Sequence, residues 1–339
     1  MLSFWRLPRA LRVLYFAAPI LACGCLLLAA SAAQNSSKQE QAAVQSPPQA
    51  AAQQPQGPVS QYDESIFEKR IPAEQTAFLT GFAQAPSGTV VRDKQFRKLM
   101  HSFVPDCIFH YGRDMSLPDA LDMMLNNSFQ PVVIRRGQYV TVAGRPGPYL
   151  KGRAFLWIDT REGIGLGGFF FHPTNGEPTP SVAVFSRQVK TQDKSLGISQ
   201  LPPEFVNDLN KWSDATGLPT LTTTYFITGS NKRILLEHDE DYCATGSTTP
   251  LSSADACEQM NADAADLDLT AAYYLREVNY ATNATAWMIP GDQTAWIGVR
   301  NSACGSMADP LACRIRMTRE HVHVIVGRVP PPHRAPPIR

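Results

Sequence analysis

The sequence predicts an α+β fold, an antiparallel sheet with helices on one face, followed by a small all-α domain held by disulfides. Three observations point there. Between about residues 131 and 239, short apolar or alternating runs ("PVVIRRGQYVTVAG", "RAFLWIDT", "GGFFFHP", "PSVAVFSRQV", "TTTYFITGSNKRILLEHD") are often joined by short Gly- and Asn-bearing turns, which favour antiparallel neighbours over crossovers. Beyond residue 250 the apolar spacing changes to the helical period. Four of the seven cysteines, Cys243, Cys257, Cys304 and Cys313, also gather in this last part. The length of 339 residues gives two domains as the prior.

The chain opens with Arg6, Arg9 and Arg12, then an apolar run from Val13 to Ala30 interrupted only by Pro19, then the small residues of "AASAAQ". That order is an export signal, expected to be cleaved near Ala33, so residues 1–33 are assigned to a signal peptide. If retained, the run is long enough to anchor the chain in a membrane, and the expected location is periplasmic or secreted. "ILAC" at Cys23 loosely matches a lipid-attachment box, but the apolar run continues past it. Residues 34–75, rich in Gln, Ala, Pro and Ser, carry too few large apolar groups to fold and are expected to be a disordered linker. The net charge of +1, with no basic stripe, excludes nucleic acid as a partner.

Residues 87–241 form the expected α+β unit. "DKQFRKLMHSF" and "SLPDALDMMLNNS" have helical spacing, with Ser116 as cap and Pro118 in the first turn. "PPEFVNDLNKWSDATG" supplies a further helix between strands. Gly163, Gly165, Gly167 and Gly168 superficially match a phosphate-binding loop, but Phe169, Phe170 and Phe171 follow where a helix is required, so a strand is expected. Cys107 with His110 has the composition of a thiol–imidazole pair, although packing is the commoner use of such residues. "LEHDEDY", Leu236 to Tyr242, gathers charge at the domain junction but matches no calcium loop, and solvated surface is expected. His321 and His323 find no carboxylate at a known metal spacing. No metal or cofactor is expected.

Residues 242–328 form the expected helical domain, and residues 329–339 an unpacked tail. "ADAADLDLTAAYYLREV" puts Asp266, Leu269, Tyr273 and Arg276 on one side of a helix. "DQTAWIGVRNSAC" places Gln293, Trp296, Arg300 and Cys304 in one stripe, with Asp292 at the favourable end of the helix dipole. Such a stripe is expected to be scaffold, with Arg300 over the Trp296 ring or paired with Asp266, rather than a binding hot spot. A third helix begins with Asp309 as cap and Pro310 in its first position. The cysteines allow three pairings; Cys243 with Cys257 and Cys304 with Cys313 is the expected one, and the sequence does not choose.

Taken in order, Cys243, Cys257, Asp266-x-x-Leu269-x-x-x-Tyr273, Gln293-x-x-Trp296-x-x-x-Arg300, Cys304 and Cys313 resemble the LprI-type lysozyme-inhibitor domain, a small helical module of secreted and envelope bacterial proteins. The resemblance covers the last quarter of the chain. It departs from the family pattern at His321, where an arginine is usual, at Ala265 in place of a leucine, and in lacking a glutamate between the first two cysteines. The resemblance implies an exported, non-enzymatic binding protein whose partner is a lysozyme-like glycoside hydrolase or another envelope protein. The segment from Cys243 to Arg328 has six Arg, no Lys and nine Asp/Glu, a net −3 suited to a cationic partner. No GxSxG, HExxH, SxxK or P-loop pattern occurs. The alternative is an envelope enzyme with its active site in the α+β unit and the helical domain as accessory.

Overall fold

The computed structural model describes residues 62, 64–110, 114–144, 152–170, 182–190, 194–218, 221–244, 254–280 and 289–327. The expected signal peptide, most of the expected linker and the tail lie outside them. All described residues belong to one compact unit, Pro58–Arg339.

Helices α1 (Ser87–Arg92) and α2 (Lys94–Phe103) come first, and Asp93 caps α2 by accepting from the Gln95 and Phe96 amides. A short ladder of β1 (Ile108–His110) and β2 (Asp114–Ser116) leads into α3 (Leu117–Leu125). Ser116 caps α3 and Pro118 sits in its first turn, as the sequence leads one to expect. The strands β3 (Val133–Arg135), β4 (Tyr139–Gly144), β5 (Arg153–Asp159), β6 (Ile164–Phe170), β7 (Val182–Ser186) and β8 (Ser195–Gly197) follow. Then come α4 (Pro203–Ala215), β9 (Thr223–Thr228) and β10 (Arg233–Glu237). Three helices, α5 (Ala254–Tyr280), α6 (Ile289–Cys304) and α7 (Pro310–Ile325), complete the chain. Asp309 caps α7 by accepting from the Ala312 amide at 2.9 Å.

The α+β class holds, with an all-helical C-terminal region, and two details differ from expectation. The sheet is mixed: its order is β3-β4-β5-β6-β7-β9-β10-β8, with β7–β9 and β8–β10 parallel and the rest antiparallel. The reason is connectivity: β8 runs along the sheet edge opposite in direction to β7, and after α4 the chain enters between them as β9 and β10, so β9 lies along β7 and β10 along β8. Helices also cover both faces rather than one. On β5 the residues Ala154, Leu156 and Ile158 face the cluster formed with α2, α3 and α5, whereas Phe155 and Trp157 face Phe205, Leu209 and Trp212 of α4. A continuous apolar run such as "AFLWI" is what a strand buried on both sides requires.

The packed chain also begins earlier than residue 75, the expected end of the linker. Ile66, Phe67 and Ile71 are buried, and Phe67 bridges Val189. The charges in "FEKR" mask these apolar residues in a composition reading. The Ile71 amide donates to the Gly163 carbonyl at 2.8 Å, and Gly163 has φ of +64°. A Cβ there would lie 2.1 Å from the Ile71 oxygen, so only glycine lets the two backbones meet. The rest of the glycine run lies in β6. A Cβ on Gly165 would enter the Phe103 ring and one on Gly167 the Phe185 ring, which makes the run a packing surface for aromatics.

The helical region lies against the sheet. Leu269, Ala271, Ala272, Tyr273, Tyr274 and Leu275 of α5 share one apolar cluster with Tyr225 and Ile227 of β9 and Leu235 of β10. This packing brings the end of β10 to α5 and α7.

Candidate functional site

The predicted stripe on α6 meets α5 and α7 inside the helical region. Arg300 is 3% exposed. Its Nη1 donates to Asp266 at 2.5 Å and to the Thr318 hydroxyl at 2.8 Å, and its guanidinium carbon lies 5.5 Å from the centre of the Trp296 ring. Arg314 of α7 donates to the other oxygen of Asp266, so one carboxylate ties both following helices to α5. Trp296 stacks on His321 with ring centres 4.1 Å apart and planes at 3°. The Tyr273 hydroxyl lies 3.0 Å from His321 Nε2. Burial raises the Tyr273 pKa, so the phenol keeps its proton, and burial with the charge of Arg276 lowers that of His321. His321 thus presents a flat neutral ring to Trp296.

Leu269 is buried one turn before Tyr273, and Gln293 is half-buried near the start of α6, where it makes no hydrogen bond to this cluster among the described residues. Cys243 is bonded to Cys257 and Cys304 to Cys313, with Cα separations of 5.0 and 5.6 Å. The first bond ties the junction to the start of α5, and the second closes the turn between α6 and α7. Cys107 is buried and its thiol is pushed up to about 12 by burial, only partly opposed by the charge of Arg233, so it is not a thiolate. The side chain of His110 lies outside the described residues.

A second cluster sits where β10 runs out against α5 and α7. Sequence patterning assigned "LEHDEDY" to solvated surface; that holds for Asp239 and Asp241, but Glu237 and His238 are buried. The reason is Asp268, also buried: its carboxylate accepts from the His238 amide at 2.8 Å and lies 2.6 Å from His238 Nδ1. Burial alone pushes the His238 pKa down, but the Asp268 charge and hydrogen bond outweigh it and the net shift is upward. His323 Nε2 lies 3.1 Å from Glu237, and Asp239 accepts from both the amide and the hydroxyl of Ser199. Asp241 accepts from Asn261 and from the Cys243 amide, which holds its pKa down.

Glu237, His238, Asp239, Asp268 and His323, with Arg319 of α7, line a cavity of about 280 Å³. Among the described residues no group of three or more His, Cys, Asp or Glu is placed to hold a metal. A signal for Asp268 does exist in the sequence. It stands in the stripe Ala264, Ala265, Ala271, Ala272 and Leu275 at helical spacing, and a carboxylate inside an apolar stripe demands a buried partner.

No family model, curated protein or solved structure matches the chain. No helix among the described residues is long and apolar enough to cross a membrane.

Proposed function

We propose that the protein is an exported, non-enzymatic binding protein whose C-terminal helices engage a cationic envelope partner, a lysozyme-like glycoside hydrolase being the kind the motif residues suggest. The observation that supports this reading is how the helical region distributes its charge. Arg300 is buried and Arg314 half-buried, both on Asp266, whereas among the described residues Glu258, Asp263, Glu277, Asp292 and Asp309 are exposed against Arg276 and Arg316. Packing thus takes up Asp266 and Asp268 together with Arg300 and Arg314, and the exposed groups carry the net negative charge of the region to its outer surface. An acidic surface accelerates encounter with a basic partner and disfavours acidic ones. The motif residues serve to hold the three helices in place, and the contact surface lies outside them.

The test is lysis of bacterial cell walls by lysozyme in the presence of the purified chain lacking its first 33 residues. Lysis slows in proportion to added protein at low salt and recovers as salt is raised. Lysis that is unaffected at high molar excess removes this reading.

A further inference from the structure

The hydrogen bonding around the cavity at the end of β10 is unequally satisfied. Each wall carboxylate is engaged: Asp268 by His238, Glu237 by His323, and Asp239 by Ser199. Two buried wall atoms have no hydrogen bond among the described residues, Glu237 Oε1 and, on a cation, Arg319 Nη2. Arg319 lines the cavity, its Nη2 is buried, and no acceptor lies within hydrogen-bonding reach of that nitrogen among the described residues. Its charge is felt at Asp241, whose carboxylate is already taken up by Asn261 and the Cys243 amide. A buried guanidinium N–H without an acceptor forfeits a charge-assisted hydrogen bond, so what the cavity lacks is an oxyanion.

A simple anion is a poor answer, because three carboxylates stand in the same walls. A neutral zwitterion meets both conditions. Its carboxylate would accept from Arg319 in the interior, and its ammonium would face Asp239, which is exposed at the rim and has lone pairs to spare. The volume of about 280 Å³ is near the lower end for ligand pockets and suits a molecule of that size. We infer that this cavity is a binding site for a small free α-amino acid, with Arg319 holding its carboxylate and Asp239 its ammonium. The site is separate from the outward acidic surface, and its occupancy needs no protein partner.

The experiment is an NMR titration of the full chain, disulfides intact, following the ring signals of His238 and His323, which line the cavity. Alanine and leucine are the probes, at constant pH and ionic strength, with acetate and methylammonium as half-ligands. The amino acids are expected to move both rings saturably at concentrations up to about 50 mM, a range that captures even weak millimolar affinities. Each half-ligand binds at least about tenfold more weakly, since it makes one of the two charged contacts. Arg319→Gln loses saturation, Arg319→Lys retains part of it as a point charge without the planar fork, and Asp239→Asn weakens the amino acids but not acetate. The Arg319 Nη2 has no hydrogen-bond partner among the described residues, so these variants are expected to stay folded; the Asp239 variant tests the site from its other side. Absence of saturation in the parent chain, equal binding of acetate and alanine, or a titration unchanged by Arg319→Gln and Asp239→Asn each overturns the inference.

Discussion

Arg300 and Asp266 meet at 2.5 Å in the middle of the helical region, and Arg300 is almost wholly removed from water. The pair joins α6 to α5 across 34 residues of sequence, and Arg314 brings α7 onto the same carboxylate. A guanidinium so placed acts as a fastener. Its neighbours Trp296 and Thr318 are arranged around it rather than toward solvent.

Loss of Arg300 is therefore a stability defect. Arg300→Ala is expected to cost about 3 kcal/mol, in the range for removing one partner of a buried ion pair. Asp266→Asn leaves the buried Arg300 guanidinium without its countercharge and is expected to cost a similar amount, about 3 kcal/mol. Urea unfolding reads both as lower midpoints. A fully stable Arg300→Ala protein that has lost only partner binding would assign Arg300 to the contact surface instead.

The two disulfides contribute separately. Replacing Cys304 and Cys313 together by serine is expected to destabilise the protein by about 2 to 3 kcal/mol, and the Cys243/Cys257 pair by a similar amount, through the closed loops they impose on the unfolded chain. Denaturation with and without reductant, with mass spectrometry of the bridged peptides, checks both the pairing and the cost. Cys107→Ser leaves the bridges unchanged, because Cys107 is not bonded.

Glycines divide by what surrounds them. Gly165→Ala and Gly167→Ala push a methyl into the Phe103 and Phe185 rings and are expected to cost about 1 to 3 kcal/mol each, the range for overpacking. Gly298 lies in α6 with nothing within 4 Å of a Cβ, and Gly298→Ala is expected to stabilise by up to about 1 kcal/mol through helix propensity. Thermal midpoints moving in opposite directions are the expected readout.

Two histidines titrate on opposite sides of 6.5, the ordinary histidine value. For His321 the folded value is lower, because of burial and then Arg276. The unfolded chain then binds more protons between the two values, so acidification from pH 6.5 down through the folded value destabilises. His238 is the reverse: burial opposes its charge but Asp268 prevails, so its contribution is complete below 6.5 and is lost as pH rises through the folded value. NMR titration of the ring protons separates the two, with His321 expected below 6.5 and His238 above it.

What was legible in the sequence followed from local rules. Ser116 and Pro118, and Asp309 and Pro310, mark helix starts through the backbone donors nearby, and the helical stripes follow from spacing alone. The parallel pairs were hidden, because β8 is three residues long and its pairing with β10 depends on chain 40 residues away. Burial of both faces of β5 was written in "AFLWI", but a continuous run does not say which elements cover it. The cavity was least visible. His238 meets Asp268 across 30 residues, and Arg319 reaches the same place from a third element, so the burial of this charge-rich string depends on partners distant in the chain.

The proposed function requires the acidic outer face of the helical region to bind a cationic hydrolase. Calorimetric titration of lysozyme into the chain lacking its first 33 residues, at low and at high salt, tests it most directly. The expected result is saturable binding at low salt, with a Kd of about 1 µM or tighter, that weakens at least about tenfold as salt screens the surface charge and weakens again when Asp263, Glu277 and Asp292 are made neutral. No saturable heat at low salt, or binding indifferent to both salt and the neutralised carboxylates, would contradict it.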